Sequence, residues 1–363
     1  MKNLVSPVIV LMAMSMNIHA QDVQNSRQMS QKVSIASTIG TTQIKINYHT
    51  PLAKGRKIFG GIVPYDFVVD GKEYAWRAGS NERTTIEFGH NVEINGNPLS
   101  AGKYGLVVLV SEKEWTYVFS TDMSWGAFQY TPERDVLRVK VPVKKQEYQD
   151  WLSYSFVKPQ AEKVDVELRW VDVSAAFTIS TNITANILGD LEAKPNKSAD
   201  DYGTLSIECM NQNQNSIDKA LGYLELGLAR IDSLDQKSRR YTAFSLNMLK
   251  ADLLIQKGET KKGNALKKVT IEKSEGFDMY YYGLNTLIVK GNQKEAFQLL
   301  SDNIKRNPRQ WQAYLAMGEY YLKAGDQQRV VDNFKLAYEY ASDNWKNYAR
   351  YLYLQNKLVL ERN

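Results

Sequence analysis

The sequence predicts two domains: an antiparallel β-sandwich or barrel over residues 21–180, then an all-α helical repeat domain over residues 201–363. Three observations carry this. Apolar and polar side chains alternate with a period of two across residues 31–180; beyond Ser180 the period lengthens to 3.6; and within that second stretch glycines and aromatic residues recur about every 34 positions. At 363 residues, 43% of them hydrophobic and 24% charged, the chain is long enough for about two domains and can bury a core in each.

Taken in order, the chain opens with Lys2, an apolar run from Val8 to Met16, and Ile18-His19-Ala20 as a cleavage site before Gln21. These features predict a signal peptide over residues 1–20 and a mature protein that is periplasmic or secreted. The run is too short to span a bilayer and no comparable run follows, so no membrane span is expected once the signal is removed. No cysteine follows the cleavage site to carry a lipid anchor.

Ile44, Ile46 and Tyr48 alternate with Gln43, Lys45, Asn47 and His49, and Trp115, Tyr117 and Phe119 alternate with Thr116 and Val118. Leu137, Val139, Val141 and Val143, and later Val164, Val166, Leu168 and Trp170, mark further half-buried strands. Asp70-Gly71 and Asn95-Gly96 read as hairpin turns, because Asp-Gly and Asn-Gly suit the positive φ that a type I′ turn needs at both central residues. Nine or ten short strands with no helical period between them point to antiparallel pairing, away from a parallel nucleotide-binding sheet.

Residues 181–200 read as a polar joint holding a short helix. Beyond it, Gly291 and Gly325, like Phe277 and Trp311, lie 34 residues apart, and Gly258 precedes Gly291 by nearly the same distance. Tyr314, Met317, Gly318, Tyr321, Val330, Phe334 and Ala337 align with Tyr280, Gly283, Leu284, Leu287, Ala296, Leu300 and Asn303. The spacing resembles the tetratricopeptide repeat, with weaker copies starting near Asp201 and Tyr241 and a capping helix over Asp343–Arg362. The resemblance implies a groove for a protein or peptide. Tyr280, Trp311 and Tyr314 are its candidate partner-binding residues, each of which can instead be core.

Composition and motifs exclude much chemistry. The net charge of +6 is dispersed, against nucleic-acid binding. Cys209, the only cysteine, rules out an intrachain disulfide and a four-cysteine zinc site, and its apolar surroundings make it a core residue. His49, on the polar face of a strand, and His90, in a turn, share no metal-ligand spacing, so neither a metal nor a cofactor is expected. Residues 55–61 lack the lysine of a phosphate loop, and no serine sits in a nucleophile elbow.

Unusual chemistry is concentrated between Tyr48 and Glu82. The pattern Tyr48-x-x-Pro51-x-x-Lys54-Gly55-Arg56-x-Ile58-Phe59-Gly60 is followed by Val63-Pro64-Tyr65 and by Trp76-Arg77-x-Gly79-x-Asn81-Glu82-x-Thr84. Ala101-Gly102-x-Tyr104, Trp115, Trp125-Gly126 and Asp135-Val136-Leu137-Arg138 extend it toward Ile179. This signature resembles the family called domain of unknown function 2911. Residues 66–75 look like an insertion in it, and Ser80 stands where that family more often has alanine. The resemblance implies an exported β-domain, often found in Bacteroidetes-type bacteria and sometimes followed by tetratricopeptide repeats, with no established reaction.

Lys54, Arg56, Trp76, Arg77, Asn81, Glu82 and Trp125 are therefore the candidate ligand-binding residues. If Arg56 and Arg77 form forked bonds to Glu82, the cluster braces a loop; if a guanidinium stays free beside Trp76 or Trp125, the cluster faces an anionic or sugar-like ligand. The function expected is that of a non-enzymatic interaction protein. A hydrolase or ligand-binding protein acting at the Arg56, Arg77 and Glu82 cluster is the alternative, with Glu82 and Asp135 as the only carboxylate pair to offer, and an envelope-assembly chaperone is a further one.

Overall fold

Residues that alternate in sequence put their apolar members on one face of a pleated strand, and two such faces close on each other. The computed structural model describes residues 30–124, 130–213, 215–283 and 291–362, and in these it forms twelve strands followed by ten α-helices. The expected signal segment and Trp125 lie outside the described residues. The chain divides into two compact units, with the boundary between Ile187 and Leu188.

The first unit is antiparallel throughout. Its six-stranded sheet runs in the order β1 (Gln31–Ile39), β2 (Thr42–Thr50), β5 (Thr85–Phe88), β8 (Gly102–Val110), β9 (Glu114–Ser120) and β10 (Asp135–Pro142). A four-stranded sheet has the order β11 (Lys144–Val157), β12 (Lys163–Ser180), β6 (Val92–Ile94) and β7 (Asn97–Leu99). A separate ribbon pairs β3 (Val68–Val69) with β4 (Lys72–Glu73). The two glycine turns sit where the sequence predicts them, Asp70-Gly71 joining β3 to β4 and Asn95-Gly96 joining β6 to β7, with all four φ angles positive.

Both large sheets feed one core. Ile44, Ile46, Ile86, Leu106 and Phe119 from one sheet cluster with Leu152, Val166, Leu168, Phe177 and Ile179 from the other, all essentially inaccessible to solvent. Each such side chain stabilises the fold by about 1.5–3 kcal/mol. Tyr117 ties the sheets together through its hydroxyl, which donates to the Ala175 carbonyl at 2.9 Å.

One charge pair is inside. The Arg83 guanidinium meets the Asp122 carboxylate at 3.2 Å with both side chains under 5% exposed, and Arg83 also donates to the Asp122 carbonyl at 2.7 Å. Gly105 on β8 makes room for it, since a Cβ there would strike the Asp122 carbonyl and the Arg83 side chain. Burial alone would raise the Asp122 carboxyl; hydrogen bonds from Ser124 and the Arg83 charge outweigh it and hold the group below its usual value. Arg83→Met should lose about 3–5 kcal/mol in urea denaturation followed by tryptophan fluorescence, and adding Asp122→Leu should recover part of that loss, because an uncompensated buried charge costs more than no pair at all.

His49 is a correction. It is 4% exposed rather than on a polar face, because the alternation of β2 breaks at its end. There the chain continues onto the other sheet through Leu52 and Trp151, and Gly79 lies against the His49 carbonyl, so both faces are covered. Burial lowers the His49 pKa.

In the second unit, helices pack as successive hairpins: α2 (Ala199–Gln212) with α3 (Ile217–Leu228), α4 (Gln236–Gln256) with α5 (Thr260–Glu272), α6 (Gly276–Tyr282) with α7 (Gln293–Arg306), and α8 (Trp311–Ala324) with α9 (Gln327–Tyr340). A short helix, α1 (Ile183–Ala193), precedes them, and α10 (Asp343–Arg362) covers α9. Ser198 and Asp201 form a reciprocal capping box at the start of α2. The recurring glycines Gly258, Gly291 and Gly325 have φ of +96°, +77° and +78°, a left-handed turn that only glycine adopts without strain. Cys209 is buried beside Leu188, Tyr202 and Leu205.

Other glycines serve close packing. The Phe334 ring lies where a Cβ of Gly318 would be, and Leu300 packs over Gly283 in the same way. The earlier hairpin thus uses Gly283, one position ahead of the 34-residue register that matches Gly318 to Leu284. Gly318→Ala should destabilise the helical unit by about 1–3 kcal/mol in thermal or urea unfolding, with partial rescue by Phe334→Leu, since overpacking is relieved when the opposing ring is removed.

Glu319 on α8 has no ion-pair or hydrogen-bond partner among the described residues, and burial raises its pKa above the ordinary 4.5. A raised folded-state pKa means that the contribution to stability is complete below 4.5 and is lost as pH rises through the folded value. Glu319→Gln should therefore raise the melting temperature at neutral pH, and the gain should vanish in melts repeated toward pH 4 (about the unfolded carboxylate value).

Candidate functional site

The region between Tyr48 and Glu82 becomes two loops on the first unit. The first leaves β2 and is tied to β11: Thr50 donates to the Leu152 carbonyl at 2.6 Å, Leu152 donates to the Pro51 carbonyl at 3.0 Å, and Ala53 donates to the Asp150 carbonyl at 2.7 Å. The left-handed turn at Lys54-Gly55 brings Arg56 back onto this segment, where Nε donates to the Ala53 carbonyl (2.9 Å) and Nη2 to the Leu52 carbonyl (2.7 Å). A tight turn over residues 58–63 then pushes the Phe59 ring among Trp76, Trp115 and Trp170, with centroids 5.8, 4.8 and 6.0 Å away.

The second loop is an excursion from β8. Trp76 exchanges two 2.8 Å backbone hydrogen bonds with Val108, and the Thr84 carbonyl accepts from Leu106 at 2.8 Å, so residues 77–83 leave the sheet and return to it. Ala78 and Asn81 both have φ of +55°. The carbonyls exposed by this path are collected locally: Ala78 accepts from Thr84 Oγ1 and the Tyr154 hydroxyl, Gly79 from Trp76 Nε1, and Asn81 from Arg77 Nη1 at 2.7 Å.

Between the loops lies a cavity of about 360 Å³, near the lower end of the usual size for small-molecule sites. Its walls are Pro51, Ile58, Ile62, Val63, Phe67, Tyr74, Trp76, Val108, Val110 and Trp170, with Arg56, Arg77, Ser30 and Ser80 as the polar side chains that are not aromatic. Trp76 and Trp170 are nearly parallel, 6.0 Å apart. Trp170 is aimed here by an irregularity in β12: the pairing slips at Gln149 opposite Val171, whose φ is +48°, and the indole donates to the Asp150 carbonyl. Phe67 and Tyr74 flank the β3–β4 ribbon, so residues 66–75 form one wall of the cleft, held from outside by the Glu73–Arg138 ion pair at 2.9 Å.

Three of the seven sequence-derived candidates, Arg56, Trp76 and Arg77, meet at this cleft. Lys54 is exposed on the turn and only its backbone is engaged, donating to Asp150. Asn81 supports Arg77 through its carbonyl and reaches the Ser30 carbonyl with its amide. Glu82 faces elsewhere and pairs with Lys32 of β1 at 3.2 Å. The forked pairing of Arg56 or Arg77 with Glu82 does not form, because the turn at Asn81 directs successive side chains to different sides. Trp125 falls outside the described residues.

The carboxylate pair is likewise separated. Thr85 is opposite Gly105, Gly105 opposite Ser120, and Ser120 opposite Asp135, so Glu82 and Asp135 stand three strands apart. That is about 14 Å at ~4.8 Å per strand, well beyond the ~5–9.5 Å of glycosidase carboxylates. Asp135 bonds Arg138 and the Tyr130 hydroxyl instead. Among the described residues no carboxylate or imidazole lines the cleft. Among the described residues no group of three His, Cys, Asp or Glu is placed to hold a metal ion, and no helix is long and apolar enough to cross a membrane.

Sequence reasoning missed Ser80 as a site residue, along with Phe67, Tyr74, Val108 and Trp170, because these read as strand or turn positions until the two loops close over β8. It also passed over Arg83, whose place beside Glu82 in the motif was the one available signal. Of the helical candidates, Tyr314 is 9% exposed, with its hydroxyl donating to the Pro308 carbonyl. Tyr280 is half-buried between two apolar clusters, and Trp311 stacks on the exposed Trp345 at 5.7 Å.

The two loops and the strands they close over lie in the part of the chain that a family model matches. Residues 30–179 match the family model described as protein of unknown function (DUF2911). Every residue that lines the cleft, from Ser30 to Trp170, lies inside the matched span. The helical hairpins lie outside it. No curated protein and no solved structure matches the chain.

Proposed function

We propose that this is an exported, non-enzymatic interaction protein whose DUF2911 region binds a small molecule in the cleft and whose helical hairpins engage a protein or peptide. The observation that supports the first part most directly is the state of Arg77. Arg77 is half-buried at the cleft, and among the described residues its guanidinium has one hydrogen bond, to the Asn81 carbonyl, and no acidic partner. Burial lowers its pKa, so an acceptor that reached it in the cleft would favour its charged form. Walls that are mainly apolar and aromatic, with a few fixed donors, are the ordinary make-up of a ligand site.

A titration with 8-anilinonaphthalene-1-sulfonate, read by energy transfer from Trp76 and Trp170, tests the cleft. The full-length protein should bind the dye, and Ser80→Phe, which puts a ring into the cavity, should weaken binding at least tenfold while far-UV circular dichroism and the melting temperature are retained. Undiminished binding by a folded Ser80→Phe protein would place the dye elsewhere and remove the support for a ligand cleft.

A further inference from the structure

The donors and acceptors at the cleft are unbalanced, and the imbalance specifies a ligand. Arg77 uses Nη1 on the Asn81 carbonyl, which leaves Nε and Nη2 without a partner among the described residues. Arg56 uses Nε and Nη2 on the Ala53 and Leu52 carbonyls, which leaves Nη1. The Ser80 hydroxyl is buried and has no hydrogen-bond partner, a costly arrangement unless something else supplies one. All three residues line the same cavity, and among the described residues no carboxylate lines it to neutralise them.

A sugar is a poor match. A ring of hydroxyl groups needs acceptors as well as donors, and carbohydrate sites usually supply carboxylates or side-chain amides; here the side-chain oxygens are confined to Ser30, Ser80 and Tyr74. A fully polar anion is also a poor match, since Ile58, Val63, Val108, Trp76 and Trp170 give it nothing to bond.

We infer that the cleft takes an amphipathic organic anion, a hydrocarbon or aromatic body carrying one carboxylate-like head, with Arg77 and Ser80 holding the head and the Trp76, Trp170 and Val108 walls covering the body. This rests on the cleft being a ligand site, and it adds the chemical class. Arg77 presents its remaining N–H groups to a planar two-oxygen acceptor, a geometry that suits guanidinium better than ammonium. Arg56, at the rim, contributes charge and one further donor.

The test is isothermal titration of the full-length protein with octanoate, 1-octanol and maltose at pH 7. Octanoate should bind about tenfold or more tightly than 1-octanol, the worth of a charge-assisted hydrogen bond. Arg77→Gln should remove that preference, weakening octanoate about tenfold or more and leaving 1-octanol nearly unchanged; Arg77→Lys should restore part of it, and Ser80→Ala should weaken octanoate by a smaller factor. A thermal melt confirms that each variant is folded, and Arg56→Gln gives a second reading if Arg77→Gln is not. Equal binding of octanoate and 1-octanol, or tighter binding of maltose, would overturn the anionic class while leaving the ligand cleft standing. Binding of none of the three, with no dye binding either, would overturn both.

Discussion

The reciprocal pair of hydrogen bonds between Trp76 and Val108 is the constraint on which the rest of the first unit depends. The position beside β8 is occupied first by Trp76 and then by Thr84 and β5, so the intervening residues have to leave the sheet and come back. Positive φ at two residues other than glycine, Ala78 and Asn81, is strain of about 1–3 kcal/mol each, and it persists only where the surroundings over-determine it. Here they do: each carbonyl turned out of the ladder at Ala78, Gly79 and Asn81 finds a donor from the motif itself or from Tyr154. The same anchor sets the Trp76 indole against Trp170 and commits Arg77 to the cleft.

Three arginines in this stretch then meet three environments. Arg56 is exposed and spends most of its donors on backbone carbonyls. Arg77 is half-buried with donors to spare, and Arg83 is inside the sandwich, matched to Asp122. Identical chemistry thus serves as a brace, a half-buried donor beside the cleft and an internal strut, according to how much water is left around each and whether an acid lies within reach. Division of labour by environment lets one short motif shape both the loop and the cavity beside it.

In the helical unit the controlling quantity is the distance between axes. Gly318 beneath Phe334 and Gly283 beneath Leu300 let a large side chain of one helix sit directly on the backbone of its partner. The chain turns within hairpins at Gly291, ahead of α7, and at Gly325, between α8 and α9, both in left-handed conformations. Tyr314 and Tyr280 are absorbed largely into the packing, which leaves aromatic surface mainly around Trp311 and on α10, at Trp345, Tyr348 and Tyr351.

The sequence by itself determined the two classes of structure, the strand region from Gln31 to Ser180, both tight hairpin turns and the capping helix over Asp343–Arg362, because period and turn chemistry are local properties. It also marked the stretch that supplies much of the cleft lining, since glycines and arginines crowded between Tyr48 and Glu82 fit no regular element. Pairing was beyond it. Glu82 turns to Lys32, Asp135 to Arg138, Arg83 to Asp122 and Trp170 into the cleft, and each of these depends on residues tens of positions away and on which side of a strand a bulge or turn delivers a side chain. His49 is hidden for the same reason: a polar position in an alternating strand becomes interior when another segment covers its second face. Local pattern fixes which residues can form a site, and only the closing of the two loops over β8 decides which of them face the cavity and which are left without a partner there.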